Sequence, residues 1–295
     1  MKRKKIYHLL LFWLCLPLWS LCQPYIDLVK VSYGYTPANG LNKKAHPLYS
    51  HIYSLNINLP IELKKDGDAF IINPFFDHAN GKVSATDFHV TSKGILIGFL
   101  KKDIYKNWAL LSGFILRQNK QTGNDVPDDW QYGGIILATW KKAQSISFKF
   151  GLYYNKEFFG NYFIPLVGVD WKITPKNNLF GVLPGNMVFE HKVSERFYYG
   201  SSFHALTNSY RLQTIDPCFS GDCSAKHYLR IDDNQLGIFS DTYLSKKIVF
   251  TAEAGYTIFR RYRYGFKGDV RDTKTDLKSD NFYIRAGLAY RLRFH

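Results

Sequence analysis

FYIRAGLAYRLRFH, residues 282–295, alternates along its whole length. Phe282, Ile284, Ala286, Leu288, Tyr290, Leu292 and Phe294 occupy one parity, and Tyr283, Arg285, Gly287, Ala289, Arg291, Arg293 and His295 the other. A period of two is the mark of a β-strand with one apolar and one polar face. Strands of soluble domains run about 5–6 residues. A strand that crosses a membrane needs about 9–11, with apolar side chains on the lipid side. This stretch is long enough to cross, and an edge strand of a soluble sheet is the weaker alternative.

The same residues resemble the C-terminal signal by which bacterial outer-membrane barrels are handed to their assembly machinery. In that pattern a polar residue precedes Gly, and aromatic or apolar residues follow at a spacing of two. Arg285, Gly287, Tyr290, Leu292 and Phe294 fit it. His295 departs from the common form, which ends on the aromatic residue itself.

Composition agrees with a membrane barrel. Aromatic residues make up 17% of the 295 positions, with 21 Tyr and 23 Phe. Mean hydropathy is nevertheless only −0.23, and beyond the first 25 residues no run approaches the ~18 apolar residues of a membrane helix. Many aromatics, strong alternation and no long apolar run point to strands that cross.

The N-terminus has the layout of a secretory signal. Lys2, Arg3, Lys4 and Lys5 are followed by an apolar core at 9–19, and Ser20 and Cys22 suit a cut before Gln23. A lipoprotein cut before Cys22 is the alternative, and Leu21 fits it poorly. The expected division is a signal at 1–22 and a barrel domain at 23–295. Loss of four basic residues takes the formal charge from +15 to near +11, from 35 Lys+Arg against 24 Asp+Glu. Cys218 and Cys223 then remain, and in an exported chain a close pair suggests a disulfide. Two thiols supply only half a tetrahedral metal shell, so neither metal nor cofactor is expected.

Alternating runs separated by turn signals recur at 27–36, 52–63, 69–77, 87–100, 108–118, 131–140, 145–155, 161–173, 196–206, 235–244 and 248–264, with 282–295 as the last. Outer-membrane barrels have short periplasmic turns and long outer loops, and the closing strand runs inward. Counted back from the end, the strand at 196–206 runs outward. Counted forward from a periplasmic start, 161–173 runs inward. Residues 174–195 therefore begin and end on the periplasmic side. The expectation is an all-β, antiparallel up-and-down barrel of twelve strands, with 174–195 as a short periplasmic or lumenal excursion. Fourteen strands require two very short crossings there.

The mature chain resembles a family of uncharacterised outer-membrane β-barrel proteins common in Bacteroidota, described only as a domain of unknown function. Asp170-Trp171-Lys172-Ile173, Leu183-Pro184, the run from Val188 to Ser194 and the closing strand carry the resemblance. It implies fold and location, and no catalytic residues.

Alternation also assigns faces. With Phe282 and its partners toward lipid, Arg285, Arg291 and Arg293 point into the lumen. Glu253, Lys149, Asp170, Lys172, Glu62 and Lys30 do so too. Arg285 and Glu253 are expected to pair across strands, since interior charges need partners. An anion-preferring pore is the competing use of a basic lumen. Leu96, Leu100, Leu111, Ile135 and Leu137 make the lumen beside the strands at 87–140 apolar. Tyr262 and Tyr264, within Arg260-Arg261-Tyr262-Arg263-Tyr264, suit an interfacial aromatic belt, with the arginines on lipopolysaccharide phosphates. Nucleic acid is not an expected partner. Ser202 and His204 share a strand face, but no Gly-x-Ser-x-Gly elbow exists and an enzyme is not expected. The functional classes are a small pore or passive transporter, a structural or loop-presenting barrel, and, well behind, a lipid-modifying enzyme. Outer-membrane lipid, lipopolysaccharide and the assembly machinery are the expected partners, and the oligomeric state is left open.

Overall fold

The computed structural model describes residues 23–37, 48–63, 67–83, 86–123, 129–213, 227–266 and 275–294. The expected signal at 1–22 and the pair Cys218 and Cys223 lie outside the described residues.

Among the described residues, sixteen strands form one sheet, antiparallel except for a single bridge: β1 (Tyr25–Thr36), β2 (Leu48–Ile57), β3 (Leu59–Leu63), β4 (Asp68–Val83), β5 (Thr86–Tyr105), β6 (Trp108–Gln121), β7 (Trp130–Ala143), β8 (Ile146–Glu157), β9 (Gly160–Lys172), β10 (Asn177–Leu183), β11 (Asn186–Lys192), β12 (Phe197–Arg211), β13 (His227–Tyr243), β14 (Ile248–Phe266), β15 (Thr275–Lys278) and β16 (Phe282–Arg293). β2 and β3 are one stave broken at Asn58, and both pair with β4. β15 and β16 are likewise one stave along β14. Sixteen strands less these two breaks give fourteen staves. β16 closes the cylinder on β1, in a register from Tyr25↔Arg293 to Tyr35↔Ile284. Closure removes the sheet edges that lipid could not satisfy.

The two faces of β16 differ sharply. Phe282, Ile284, Leu288 and Tyr290 are exposed, while Tyr283, Ala289 and Arg291 are buried inside. The same outward belt continues through Val31, Phe114, Ile136, Phe163 and Ile238. Apolar side chains exposed all around a closed barrel face lipid, as in the single-chain barrels of the outer membrane, where this protein resides. Ile115 and Leu137 are buried within, and Leu111 lies against Gly98, so the inner half of the lumen beside β5–β7 is apolar, while Arg117, Asn119 and Gln131 make its outer half polar.

The count of twelve is overturned. Residues 174–195 do begin and end on the inner side, but they form the hairpin β10–β11. Its arms pair with β9 and β12, from Asn178↔Lys172 to Leu183↔Val167 and from Asn186↔His204 to Lys192↔Tyr198. Each arm has seven residues. At about 3.3 Å per residue and a tilt near 40°, seven residues climb only part of the membrane. Above the hairpin the ladder between β9 and β12 is missing.

That gap explains the path of β12. Its outer half leaves the wall and crosses the interior, and Arg211 makes a parallel bridge to Lys120 on β6. Residues 207–211 and 227–233, which look like loop in the sequence, are strand here. So are residues 78–83, at the end of β4.

A second correction concerns β14. Phe259 has a left-handed backbone, with φ of 56°, beside a register shift at Asp232/Asn234. This bulge reverses the faces of the strand. Below it Val249, Glu253 and Thr257 point inward; above it Arg260 and Tyr262 do, and Phe259 faces out. Tyr262 is therefore an interior residue rather than part of an interfacial belt, and Arg260 meets protein rather than lipopolysaccharide.

Candidate functional site

The interior has three levels. At the outer level Phe88, Val90, Tyr210, Leu212, Leu229 and Tyr262 pack into one apolar cluster. Beside it lies a buried polar clasp between the crossing part of β12 and the inner face of β6–β8. Glu157 accepts from Asn155 (2.6 Å), Gln131 (2.9 Å), the Ser209 hydroxyl (2.6 Å) and the Ser209 amide (3.1 Å). Arg117 donates to Glu157, to Gln131 at 2.8 Å and to Asn208 at 2.9 Å. Buried polar groups need such partners, and here side chains replace the absent ladder.

At the inner level Tyr198, Tyr243, Val249 and Ala289 pack together, as do Phe180, Val188, Phe239 and Tyr25. Two arginines of the closing strand tie these groups. Arg291 bridges Asp27 and Asp241, each at 2.5 Å, and lies 3.6 Å over the Tyr25 ring. Arg293 holds Glu190 through both oxygens, at 2.9 and 2.7 Å, and stacks on Tyr198. Lys149 and Asp170 pair at 2.8 Å across β8 and β9.

Between the levels is a chamber of about 340 Å³. One wall comes from β1, β2 and β4, with Lys30, Ser32, Ser50, Ser54, Asn56 and Asp77. The other comes from β12, β13 and β16, with His204, Leu206, Asn208, Asp233, Gln235 and Arg285. A chain of contacts runs along the second wall. Arg260 clamps Asp233 at 2.8 and 2.7 Å, Gln235 donates to Asp233 at 2.8 Å, and Arg285 donates to Gln235. Arg285 also faces Glu253, its register partner on β14, at 3.3 Å.

Ser202 and His204 do come together here, but not as nucleophile and base. The Ser202 hydroxyl donates to Glu253 Oε1 at 3.1 Å, and the Tyr283 hydroxyl donates to the same oxygen at 2.6 Å. His204 Nε2 stands 4.0 Å from that oxygen. In a catalytic triad the histidine lies between hydroxyl and carboxylate; here the carboxylate is the hub.

On the closing strand, Gly287 lies on the interior face against Ser32, Tyr290 faces lipid, and the Phe294 amide bonds Pro24 O at 2.8 Å. Lys172 is exposed at the inner rim. Arg117, Glu157, Asp77 and Asp233 are not marked by any motif of the sequence, and from the sequence Arg260 is expected on lipopolysaccharide. Parity could have found two of them, since Arg117 and Asp77 alternate with the outward residues Leu116 and Phe76.

Several solved structures are similar to this chain, among them three outer-membrane channels and porins. An outer-membrane channel from Pseudomonas putida F1 gives a TM-score of 0.45 at 10% identity, covering 92% of this chain and 96% of that one. The TodX monoaromatic hydrocarbon channel, as a deltaS2 mutant, gives 0.40 at 10% identity, covering 92% and 91%. The NanC porin gives 0.37 at 9% identity, covering 90% and 100%. The likeness is one of barrel architecture alone. No curated protein matches the chain. Residues 98–291, well over half of the chain, match the domain of unknown function DUF6268. That stretch runs from β5 to the inner end of β16, and the chain, a fourteen-stave outer-membrane barrel, belongs to the DUF6268 family.

Proposed function

We propose that this barrel is a passive transporter for small solutes. The observation that carries this is the polar chamber at mid-lumen, bounded above and below by side-chain clusters rather than by backbone. Side chains hop between rotamers far faster than a ladder opens, so a narrow, selective path fits better than a wide aqueous pore. The basic residues of the lumen are mostly engaged by carboxylates, which argues against a broad anion channel. We also propose that residues 1–22 direct export, that Cys218 and Cys223 form a disulfide, and that Arg285, Gly287, Tyr290, Leu292 and Phe294 form the assembly signal. Contacts with lipopolysaccharide and the assembly machinery belong to the same proposal.

The packed clusters at both levels favour one competitor, a loop-presenting barrel without transport. Reconstitution separates the two. Full-length protein, shown to be folded by heat-modifiable migration on SDS gels, is placed in liposomes. Transport predicts release of amino-acid-sized solutes above the rate of empty liposomes, with small unitary steps in planar bilayers. Release at the rate of empty liposomes, together with a silent bilayer, overturns transport and favours the loop-presenting barrel.

A further inference from the structure

The chamber holds two charged side chains that form no ion pair among the described residues. Four formally charged side chains line it, Lys30, Arg285, Asp77 and Asp233, together with His204. Asp233 is taken by Arg260 and Arg285 by Glu253, and His204 stands beside Glu253. Among the described residues, Lys30 has no carboxylate within ion-pair distance. Asp77 accepts from the neutral Ser54 hydroxyl and forms no ion pair among the described residues, although the charge of Arg285 reaches it across the chamber. The two do not pair with each other, although both face the same space. Register keeps them apart: Lys30 lies opposite Asn56 on β2, and Asp77 opposite Ser54, two residues further along. Two strand spacings and that offset separate their Cα atoms by roughly 12 Å.

Two further features of the chamber want an occupant. Ser50 is 2% exposed, yet its hydroxyl has no partner there, an unusual state for a buried polar group. Leu206 projects into the chamber from β12 and is 53% exposed, so its apolar surface is left uncovered. Tyr210 and Ile231 extend that apolar side.

We propose that the chamber binds a small zwitterion with an apolar side chain, of the amino-acid or dipeptide class. Its carboxylate meets Lys30, its ammonium meets Asp77, and its apolar group covers Leu206. A cavity of 340 Å³ lies at the small end of the usual range for ligand sites, about 300–1,000 Å³. One ligand gives both charges of the chamber a partner at once only when it carries both opposite charges, so single ions bind more weakly. This deepens the transport proposal, but binding is measured without flux.

Ligand-observed NMR or calorimetry on the full chain in micelles tests it with four probes: L-leucine, 4-methylpentanoate (no ammonium), 3-methylbutylamine (no carboxylate) and glycine (no side chain). Leucine should saturate, and each of the other three should bind at least tenfold more weakly. K30M should weaken leucine at least tenfold and leave 3-methylbutylamine unchanged. D77N should weaken leucine as much and leave 4-methylpentanoate unchanged. If either variant lacks the heat-modifiable shift, K30Q or D77S takes its place. No saturable leucine binding, or equal binding of leucine and the single ions, overturns the site. Leucine binding without flux upholds the site and removes transport; flux without leucine binding does the reverse.

Discussion

Arg285 and Glu253 occupy directly opposed positions on β16 and β14, with Nη1 of one 3.3 Å from Oε2 of the other. Glu253 also collects the hydroxyls of Tyr283 and Ser202. Its side chain is only 6% exposed, against 23% for Arg285. Loss of Arg285 therefore leaves a nearly buried carboxylate without its cation. R285M should lower stability by about 3 kcal/mol, the low end for a broken buried pair. R285M/E253Q should cost clearly less than the sum of the single changes, because it removes both charges together. Urea unfolding of the full chain in micelles, followed by tryptophan fluorescence, gives the four corners of the cycle. Additive effects would show that the two groups do not act as a pair.

Gly237 makes room for that hub. A Cβ there would lie 2.5 Å from the Tyr283 hydroxyl, 2.6 Å from Glu253 Oε1 and 3.0 Å from Ser202 Oγ. A Cβ at Gly255, its register partner, would likewise lie 2.7 Å from the Tyr283 ring. The side chains could swing away, but only by giving up their hydrogen bonds. G237V should cost about 1–3 kcal/mol through overpacking. In the Y283A background the same change should cost much less. A valine as costly there as in the parent chain would place the strain elsewhere.

What the sequence made legible were the faces of strands that have one lipid side and one lumenal side. β16 and β8 alternate cleanly, and from β16 follow closure on β1 and the inward direction of the last strand. Parity also showed that 174–195 starts and ends on one side, yet seven-residue arms looked too short to cross. They persist because β9 and β12 satisfy them on both flanks. The outer half of β12 was hidden for the opposite reason. Asn208, Ser209 and Arg211 have protein on both faces, so the alternation that lipid imposes is lost and the stretch reads as loop. The bulge at Phe259 has no compositional mark at all, and one residue in the left-handed region inverted the reading of Tyr262 and Arg260. The candidate chamber was only partly visible: Lys30 and Arg285 by parity, Asp77 within reach of the same parity at the end of the strand at 69–77, while Asp233 depended on a strand extension that polar composition concealed.

Arg291 tests whether geometry or charge holds the inner level. Its guanidinium reaches Asp27 and Asp241 at once while lying flat on Tyr25. A lysine keeps the charge but lacks both the fork and the planar face. R291K should lose about 2 kcal/mol, the scale of one charged hydrogen bond. It should also slow assembly of the β1–β16 seam, which the appearance of the heat-modifiable form reports. Stability equal to the parent chain would show that charge alone suffices.

Glu157 holds the part of the wall where the ladder is missing. Above β10–β11, the β8–β9 hairpin and β12 are joined by Glu157 of β8 with Ser209, by Tyr162 of β9 with Thr207 at 3.4 Å, and by Phe158 of the turn between them against Arg211. Glu157 is the one group that satisfies Arg117, Asn155, Gln131 and Ser209 together. In E157Q the amide turns one acceptor into a donor and strips Arg117 of its counter-charge, a cost of about 3 kcal/mol. Because side chains rather than a backbone ladder bear this seam, the damage should stay local. Hydrogen–deuterium exchange of the full chain in micelles should rise at 207–211 and 117–121. Exchange at the β1–β16 closure, which a continuous ladder protects, should not change. A uniform rise across all staves would show instead that the seam and the rest of the barrel open as one unit.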